Sequence, residues 1–303
     1  MTMARTLLRP IAIMACPVAA MLAVPAEARP RRIVSLNLCT DQLVLALADR
    51  AQIAGLTRNA DNADMSAEAA KARGLRIMGS SAEEILALDP DLVVGMPARR
   101  NPALAVLSKQ NFRAVDVPQA ESYDAIRASI RAVAVAVGHP ARGEAMIARM
   151  DRDLAALPRI APGQVAAYYQ RRGYMTGTGT LVDELMNRVG LVNLAARLHK
   201  PVMAQVPLEE MVAARPDYLI MESATQRVTD QGTEMLHHPA LAGMKRITIP
   251  QAWTVCGGPA YVQAAQQLVR QVGAQQARAQ PSRAAADRGP GRRQDSAPPL
   301  NAR

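Results

Sequence analysis

From residue 33 onward, short runs of β-branched and aliphatic residues alternate with longer amphipathic stretches. This alternation is typical of βα units packed around a parallel sheet, because strands that helices cover on both faces are apolar throughout. The strands that it predicts are residues 33–37, 53–57, 75–78, 92–95, 114–117, 165–169, 218–221 and 246–249. Helices are predicted between them, among others at residues 181–189, 208–214 and 261–272. The pattern therefore predicts an α/β fold with central parallel sheets.

The middle of the chain predicts a stiff connection between two halves. A helix is predicted over residues 123–137, and the Gly138-His139-Pro140 turn ends it. A second helix is predicted over residues 141–157, and at 1.5 Å per residue it spans about 25 Å. We therefore expect a connecting helix within residues 139–160, between an N-terminal lobe at residues 29–138 and a C-terminal lobe at residues 161–276.

An internal repeat supports two similar lobes. Residues 82–94 and 208–220 share the pattern E-E-x-x-A-x-x-P-D followed by an apolar run. In each copy, glutamates occupy the first turn of a short helix, where they favour its positive end, and a Pro-Asp pair separates the helix from a strand. Two copies of one helix-turn-strand unit indicate two lobes of the same construction.

The N-terminal segment has the features of an export signal. Arg5 and Arg9 precede an apolar run over residues 10–25, and Ala26-Glu27-Ala28 resembles a cleavage site. The run is shorter than the roughly 20 residues of a membrane-spanning helix. We expect residues 1–28 to be a signal peptide and the mature protein to be periplasmic, with a lipid anchor on Cys16 as the alternative.

The charge of the chain lies mostly at its ends. The net charge is +10, but arginines concentrate in residues 29–32 and 277–303, which leaves a nearly neutral body. A nucleic-acid partner is not expected, because aromatic residues make up only 3% of the chain and no basic face is evident. Residues 277–303 are poor in aliphatic residues and are expected to be a disordered basic tail.

The cysteines leave two possibilities open. Removal of Cys16 with the signal peptide leaves Cys39 and Cys256. In an oxidising compartment they are expected to form one disulfide, or else to remain as two unpaired thiols near a pocket. The sequence has no Cys or His spacing typical of zinc sites, no G-x-S-x-G and no H-E-x-x-H. We therefore predict no catalytic residues, no metal site and no cofactor, and hence no enzyme.

Candidate ligand-binding residues follow the predicted strands, because the carboxyl ends of parallel strands border the ligand crevice of such folds. Arginine suits carboxylates and phosphates, while tyrosine and tryptophan offer flat apolar surface. Solvated loop charges and core packing are the alternative interpretations for these side chains. The candidates are Cys39, Thr40, Arg58, Met96, Arg99 and Arg100 in the first half, and Tyr169, Arg171, Tyr174 and Trp253 in the second. Gln170, the loop at residues 176–180 and Glu222 also follow strands of the second half.

Several motifs together resemble the iron-siderophore and cobalamin class of periplasmic solute-binding proteins of ABC importers. They are the export signal, R-I-V-S-L-N-x-C-T-D-Q-L at residues 32–43, the paired E-E…P-D units and I-P-x-x-W-x-x-C-G-G-P at residues 249–259. The resemblance implies a class III periplasmic binding protein, in which two Rossmann-like lobes are joined by a single long helix and the ligand lies between them.

The resemblance also implies a ligand and a partner. It implies a metal-organic complex, for which we expect a ferric siderophore first and cobalamin or haem next, and delivery by a monomer to an inner-membrane permease. Glu83 and Glu209 are the implied permease-docking residues, although Glu84 and Glu210 are adjacent and all four suit solvated helix starts. A periplasmic enzyme or a sensor on a related two-lobed scaffold is the alternative of another class.

Overall fold

The structure is a computed structural model that describes residues 29–79, 81–95 and 113–279. The described strands are β1 (Ile33–Ser35), β2 (Ile53–Thr57), β3 (Ile77–Met78), β4 (Leu92–Gly95), β5 (Arg113–Asp116), β6 (Val165–Tyr168), β7 (Tyr174–Thr176), β8 (Val192–Asn193), β9 (Met203–Gln205), β10 (Tyr218–Glu222) and β11 (Lys245–Ile249). The described helices are α1 (Leu38–Leu47), α2 (Ala69–Ala72), α3 (Ala82–Ala87), α4 (Tyr123–Ala136), α5 (Pro140–Ala155), α6 (Leu181–Arg188), α7 (Leu194–Arg197), α8 (Leu208–Ala214), α9 (Gln231–Glu234) and α10 (Tyr261–Ala279).

Two parallel sheets form the centres of two lobes. The first lobe, before α5, has the strand order β3-β2-β1-β4-β5, and the second lobe, after α5, has the order β11-β10-β6-β8. Every strand pair in these two sheets is parallel. The α/β class expected from the hydrophobic pattern is therefore confirmed. A separate antiparallel pair, β7 with β9, belongs to the second lobe, and we call it the ribbon.

Several element boundaries differ from the expected ones. β1 ends at Ser35 because the side chain of Asn37 accepts hydrogen bonds from the backbone N–H groups of Cys39 and Thr40 and so begins α1. β6 ends at Tyr168, one residue before its expected end. α10 continues to Ala279, beyond residue 272 and into the first residues of the segment that we expected to be disordered. The short strands β7, β8 and β9 were not predicted.

The repeat is present in the backbone and in its hydrogen bonds. Asp89 and Arg215 occupy the same place in the two copies, and both have a φ of 44° directly before the proline. The next aspartate of each copy, Asp91 or Asp217, lies beside the first residues of the neighbouring strand. Asp91 accepts hydrogen bonds from the backbone of Arg31 and Arg32 before β1, and Asp217 accepts one from the N–H of Val165 in β6. The same device therefore joins β4 to β1 and β10 to β6.

Helix α5 connects the lobes, as the spacing of the helix signals predicts. It begins at Pro140, and proline suits the first turn of a helix because it has no backbone N–H that would lack an acceptor. The helix packs on α4 in the first lobe and on α10 in the second. A single cluster of buried apolar side chains continues across both lobes, from Leu43 and Ile130 to Tyr168 and Leu268.

The start of α4 also contacts the second lobe directly. The backbone N–H of Tyr123 donates to Glu184 Oε2 at 2.7 Å, and its ring stacks on that of Tyr261 with 5.6 Å between centroids. The guanidinium of Arg188 lies 5.2 Å from the Tyr123 ring centre and 5.8 Å from the Tyr261 ring centre. The lobes are therefore held by side-chain contacts as well as by α5. In the described part of the chain, no helix has both the length and the apolar character needed to cross a membrane.

Candidate ligand-binding site

A cavity of about 270 Å³ lies between the lobes, and we call it the recess. Most of its wall comes from the second lobe, at the carboxyl ends of β6, β10 and β11, and its other side comes from the loop after β5. The described residues that line it are Gln119, Glu121, Tyr168, Gln170, Thr176, Thr180, Leu181, Val182, Val202, Met203, Glu222, Gln251, Thr254 and Val255. Its position agrees with the rule that the carboxyl ends of parallel strands border the ligand crevice.

One wall of the recess is a polar group of side chains around Glu222. Glu222 ends β10 and is only 6% exposed, and its Oε1 accepts a hydrogen bond from Gln170 Nε2 at 3.2 Å. Burial raises the pKa of the Glu222 carboxyl, and the Gln170 hydrogen bond and the charge of Arg171 oppose that rise. Beside it, the hydroxyls of Tyr168 and Thr254 are 3.0 Å apart, and burial raises the pKa of Tyr168. This wall therefore presents hydrogen-bonding groups in a sheltered place.

The ribbon and the adjacent Val202 form another wall, to which Thr176, Val202 and Met203 contribute side chains. In its register Thr176 pairs with Met203 and Tyr174 pairs with Gln205, so these four side chains share one face, while Met175 on the other face is buried in the core. Met203 is 50% exposed, Tyr174 41%, and Val202, which precedes β9, 60%. Large apolar side chains that remain this open beside a cavity are typical of a surface that a ligand covers.

The structure brings none of the described ligand-binding candidates into the recess. Thr40 is buried, and its hydroxyl is bonded to Ser35 and to the carbonyl of Asn37 at the start of α1, so this expectation was wrong. Tyr169 is also fully buried and donates its hydroxyl to the carbonyl of Val206 at 2.8 Å, with its pKa raised by burial to about 12. Neither side chain has surface to offer a ligand.

The other candidates either do not line the recess or lie outside the described residues. Arg171 forms an ion pair with Asp230, and Trp253 is half-buried against the core. Arg58 and Tyr174 are exposed, and ligand contact by these side chains stays a prediction. Met96, Arg99 and Arg100 lie outside the described residues.

The side chains that do line the recess are near neighbours of those expected. Tyr168 takes the place of Tyr169 because β6 ends one residue earlier and successive side chains of a strand point to opposite faces. Glu222 lines the recess, as its position directly after the strand predicted at residues 218–221 indicates, and so do Gln170, Thr176 and Thr180. Only the position after a strand signalled Glu222.

Cys39 and Cys256 form a disulfide, with 5.2 Å between their Cα atoms. The bond joins the start of α1 in the first lobe to the loop that follows β11 in the second. Of the two possibilities that the sequence left open, disulfide formation is therefore confirmed. Cys39 is consequently not a free thiol for a ligand.

The two glutamates of each repeat differ in their surroundings. Glu84 Oε2 accepts the backbone N–H of Gly79 at 2.7 Å, and Glu210 pairs with Lys200 at 2.8 Å. Glu83 and Glu209 are exposed at the starts of α3 and α8. The backbone N–H of Glu83 and the Ser81 hydroxyl lower the pKa of Glu83, which keeps it charged. In each repeat the second carboxylate is thus used within the lobe, while the first faces solvent.

Across residues 29–79, 81–95 and 113–279, no three side chains of His, Cys, Asp or Glu are grouped so that they could hold a metal ion. His139, in the turn before α5, pairs with Asp49 at 2.9 Å and lies 3.2 Å from Gln52, within the first lobe.

Comparisons with known proteins find relatives that are named for binding cobalamin or vitamin B12. A vitamin B12-binding protein of Pectobacterium carotovorum subsp. carotovorum (strain PC1) is 25% identical over 263 residues, which cover 83% of this chain and 92% of that protein. A cobalamin-binding protein of Halobacterium salinarum is 23% identical over 218 residues, which are 70% of this chain. The match spans 59% of that relative, less than two thirds of its length.

A solved structure and a sequence family also match this chain. The apo form of the periplasmic heme-binding protein RhuT from Roseiflexus sp. RS-1 has a TM-score of 0.65 and 26% sequence identity, covering 80% of this chain and 97% of that one. Residues 33–247 match the sequence family described as periplasmic binding protein, which is more than half of the chain. The two parallel-sheet lobes, the connecting helix and this match together show that the chain belongs to the periplasmic binding protein family.

Proposed function

We propose that the protein is the substrate-binding component of an ABC importer and carries a metal-organic complex with a broad apolar face, of the corrinoid or haem type. The observation that supports this proposal is the apolar ribbon wall beside a recess between the lobes. Solute-binding pockets are commonly about 300–1,000 Å³. A recess of about 270 Å³ would therefore receive one peripheral group of a bulky complex while the ribbon covers part of its body.

The relatives support a macrocycle and leave a siderophore as the alternative. Two of them are named for cobalamin or vitamin B12 and a solved neighbour for heme. A ferric siderophore, which the sequence motifs favour, belongs to the same class of cargo. Among the described residues that line the recess no arginine or lysine is present, which gives an anionic siderophore no cationic partner there.

Titration of the purified mature protein with cyanocobalamin, haemin and ferric enterobactin, an anionic siderophore complex, tests the proposal. We expect saturable binding of a macrocycle, because the ribbon buries apolar surface against it. Quenching of Trp253 fluorescence with inner-filter correction, checked by calorimetry, measures the affinities. Saturable binding of ferric enterobactin alone would favour the siderophore, and no binding of any probe would contradict the proposal.

We further propose that Glu83 and Glu209 dock on positive charges of the permease. Their exposure at equivalent positions of the two repeats supports this, as does the use of Glu84 and Glu210 within the lobes. A charge at each lobe would orient the receptor on its partner, and the attraction would weaken with salt.

Charge reversal tests the docking surface. In Glu83→Arg/Glu209→Arg, we expect uptake through the cognate permease to fall by about tenfold or more, since like charges then face each other. Ligand affinity should stay unchanged, and Glu234→Arg, an exposed glutamate of α9, is the matched control. Equal loss of uptake and of ligand affinity would place the two residues in the pocket or the fold instead.

The location follows from the family and from the N-terminal segment. Relatives named as periplasmic proteins support a place outside the cytoplasm. We propose that residues 1–28, which lie outside the described residues, are removed on export. Mass measurement of the protein from the periplasmic fraction tests this proposal, and a lipid adduct on Cys16 would contradict it.

A further inference from the structure

We infer that the recess selects the ligand by a hydrogen-bond donor, which Glu222 accepts, so that the group entering it is a carboxamide or a similar N–H donor and not a carboxylate. This inference rests on the proposed function, because it names the kind of periphery that the bound macrocycle carries. Corrinoids carry carboxamides at their periphery, whereas haem carries propionates.

The first step of the argument is the unused hydrogen-bonding capacity of Glu222. An ionised carboxylate has two oxygens with about four acceptor positions. Among the described residues, the Glu222 carboxylate accepts one hydrogen bond, from Gln170. A carboxylate that is 6% exposed and has one neutral partner loses much of its hydration without full compensation. A ligand N–H group placed in the recess would supply a missing partner.

The positive charge of Arg171, which acts on Glu222, already has another ion-pair partner. Arg171 contributes electrostatically to Glu222, but its guanidinium forms an ion pair with Asp230. Asp230 also accepts the N–H of Thr233 at 2.9 Å as the cap of α9, so that network is complete without Glu222. Glu222 therefore faces the recess with no ion-pair partner among the described residues.

The charge of the recess decides between donor and acceptor ligands. The charged side chains among its described lining residues are Glu121 and Glu222, one from each lobe, and both are acidic. Glu222 is buried and Glu121 is exposed. A ligand carboxylate beside Glu222 would meet a like charge in a sheltered place, where repulsion is stronger than in water. A carboxamide carries no charge and offers two N–H donors.

The ribbon adds to this selection. Val202 and Met203 line the same recess, and a macrocycle lying on them would exclude water from Glu222. A hydrogen bond to the carboxylate becomes stronger, and an unpaired carboxylate more costly, as the surroundings become less polar. Apolar cover and donor recognition therefore act together.

Monocarboxylic acids of cyanocobalamin, each with one peripheral carboxamide hydrolysed, test the inference against the parent compound. We expect the isomer whose carboxylate enters the recess to bind the wild-type protein about tenfold or more weakly, since a hydrogen bond to a charged group is exchanged for repulsion. In Glu222→Gln, that isomer should return to within about threefold of cyanocobalamin, because repulsion is removed. Glu234→Gln, the same change outside the recess, should leave the wild-type ratio unchanged.

The outcomes separate this inference from the proposed function. If the wild-type protein binds cyanocobalamin and every monocarboxylic acid equally, or if Glu222→Gln leaves their affinity ratios unchanged, the inference is wrong while the proposed function stands. Tighter binding of haemin than of cyanocobalamin also overturns the inference alone. No binding of any macrocycle overturns both. The wild-type ratios decide the matter even if Glu222→Gln does not fold.

Discussion

Asp41 is a carboxylate that the first lobe buries completely. It lies in the first turn of α1, and both its oxygens accept the backbone N–H of Thr57 at the end of β2, at 3.2 and 3.3 Å. The hydroxyl of Thr57 donates to it as well. Burial is the main influence on the Asp41 carboxyl and raises its pKa, while the hydrogen bonds from Thr57 and Ser35 act in the opposite direction. Asp41 thus joins α1 to β2 through hydrogen bonds, although burial of its carboxylate is electrostatically unfavourable.

Two substitutions of Asp41 separate its hydrogen bonds from its charge. Asp41→Ala leaves the buried N–H and hydroxyl of Thr57 without an acceptor, and we expect the free energy of unfolding to fall by about 1–3 kcal/mol. Asp41→Asn keeps an acceptor oxygen, and at neutral pH it should lose less. Denaturant unfolding of the three proteins measures both effects.

The pH dependence provides the control for this prediction. As the pH rises above 3.8, the ordinary pKa of aspartate, the unfolded chain ionises Asp41 before the folded protein does. The wild-type protein should therefore lose stability relative to Asp41→Asn between pH 3.8 and the raised pKa, and the difference should then level off. A constant difference between the two proteins from pH 3.5 to 7 would show that burial does not raise this pKa.

At the scale of elements, helices α4 and α5 approach each other through a glycine. A Cβ atom built at Gly143 would lie 2.5 Å from the Cβ of Ala134 and 3.6 Å from the carbonyl oxygen of Ile130. Gly143 is therefore required by packing, although glycine costs about 1 kcal/mol relative to alanine inside a helix. Because α5 is the helix that connects the lobes, this contact fixes where the connection leaves the first lobe.

Substitution of Gly143 tests that packing. We expect Gly143→Ala to lower the free energy of unfolding by about 1–3 kcal/mol, since overpacking outweighs the gain in helix propensity. Gly273→Ala is a matched control in α10, where the nearest atom is the end of the Ile160 side chain at 3.0 Å and can move. Adding Ala134→Gly to Gly143→Ala should recover much of the loss. Stabilisation by Gly143→Ala alone would contradict the close approach.

Much of the element plan was predictable, and the exceptions have physical reasons. Helices α4 and α5 and the buried strands β2 and β4 carry strong periodic or apolar signals and were predicted at or near their observed bounds, whereas α10 is seven residues longer than predicted. The ribbon was missed because its strands have three residues each and mix polar with apolar side chains, too short to show a period. Since the ribbon forms one wall of the recess, the site was less predictable than the fold.

The side chains of the site depended on details that the sequence pattern does not contain. A shift of one residue at the end of β6 exchanges Tyr169 for Tyr168 in the recess. The pairing of Arg171 with Asp230 depends on a loop conformation that places α9 beside it. The disulfide was stated as one of two possibilities, because the distance between Cys39 and Cys256 depends on how the lobes meet.

At the scale of the whole molecule, two segments of the chain link the lobes in addition to the contacts of Tyr123. Helix α5 is one of these segments, and the loop between β11 and α10, which contacts the first lobe, is the other. In that loop a Cβ atom at Gly257 would lie 2.5 Å from the Cβ of Ala120 in the first lobe, and the disulfide of Cys256 with Cys39 fastens the contact. If the cleft beside the recess opens, this loop must therefore either move together with the first lobe or become strained.

The disulfide should consequently affect both stability and ligand release. The cysteines are 217 residues apart, and for a closed loop of this length the chain-entropy model predicts about 5 kcal/mol of stabilisation. In Cys39→Ser/Cys256→Ser we expect the free energy of unfolding to fall by about 2–5 kcal/mol. We also expect faster hydrogen exchange in the loop at residues 251–258 and faster dissociation of the bound macrocycle, because one interlobe constraint is gone. Reductant should produce the same changes in the wild-type protein and none in the variant. Lower stability with unchanged exchange and dissociation would mean that the bond stabilises the fold without limiting the opening of the cleft.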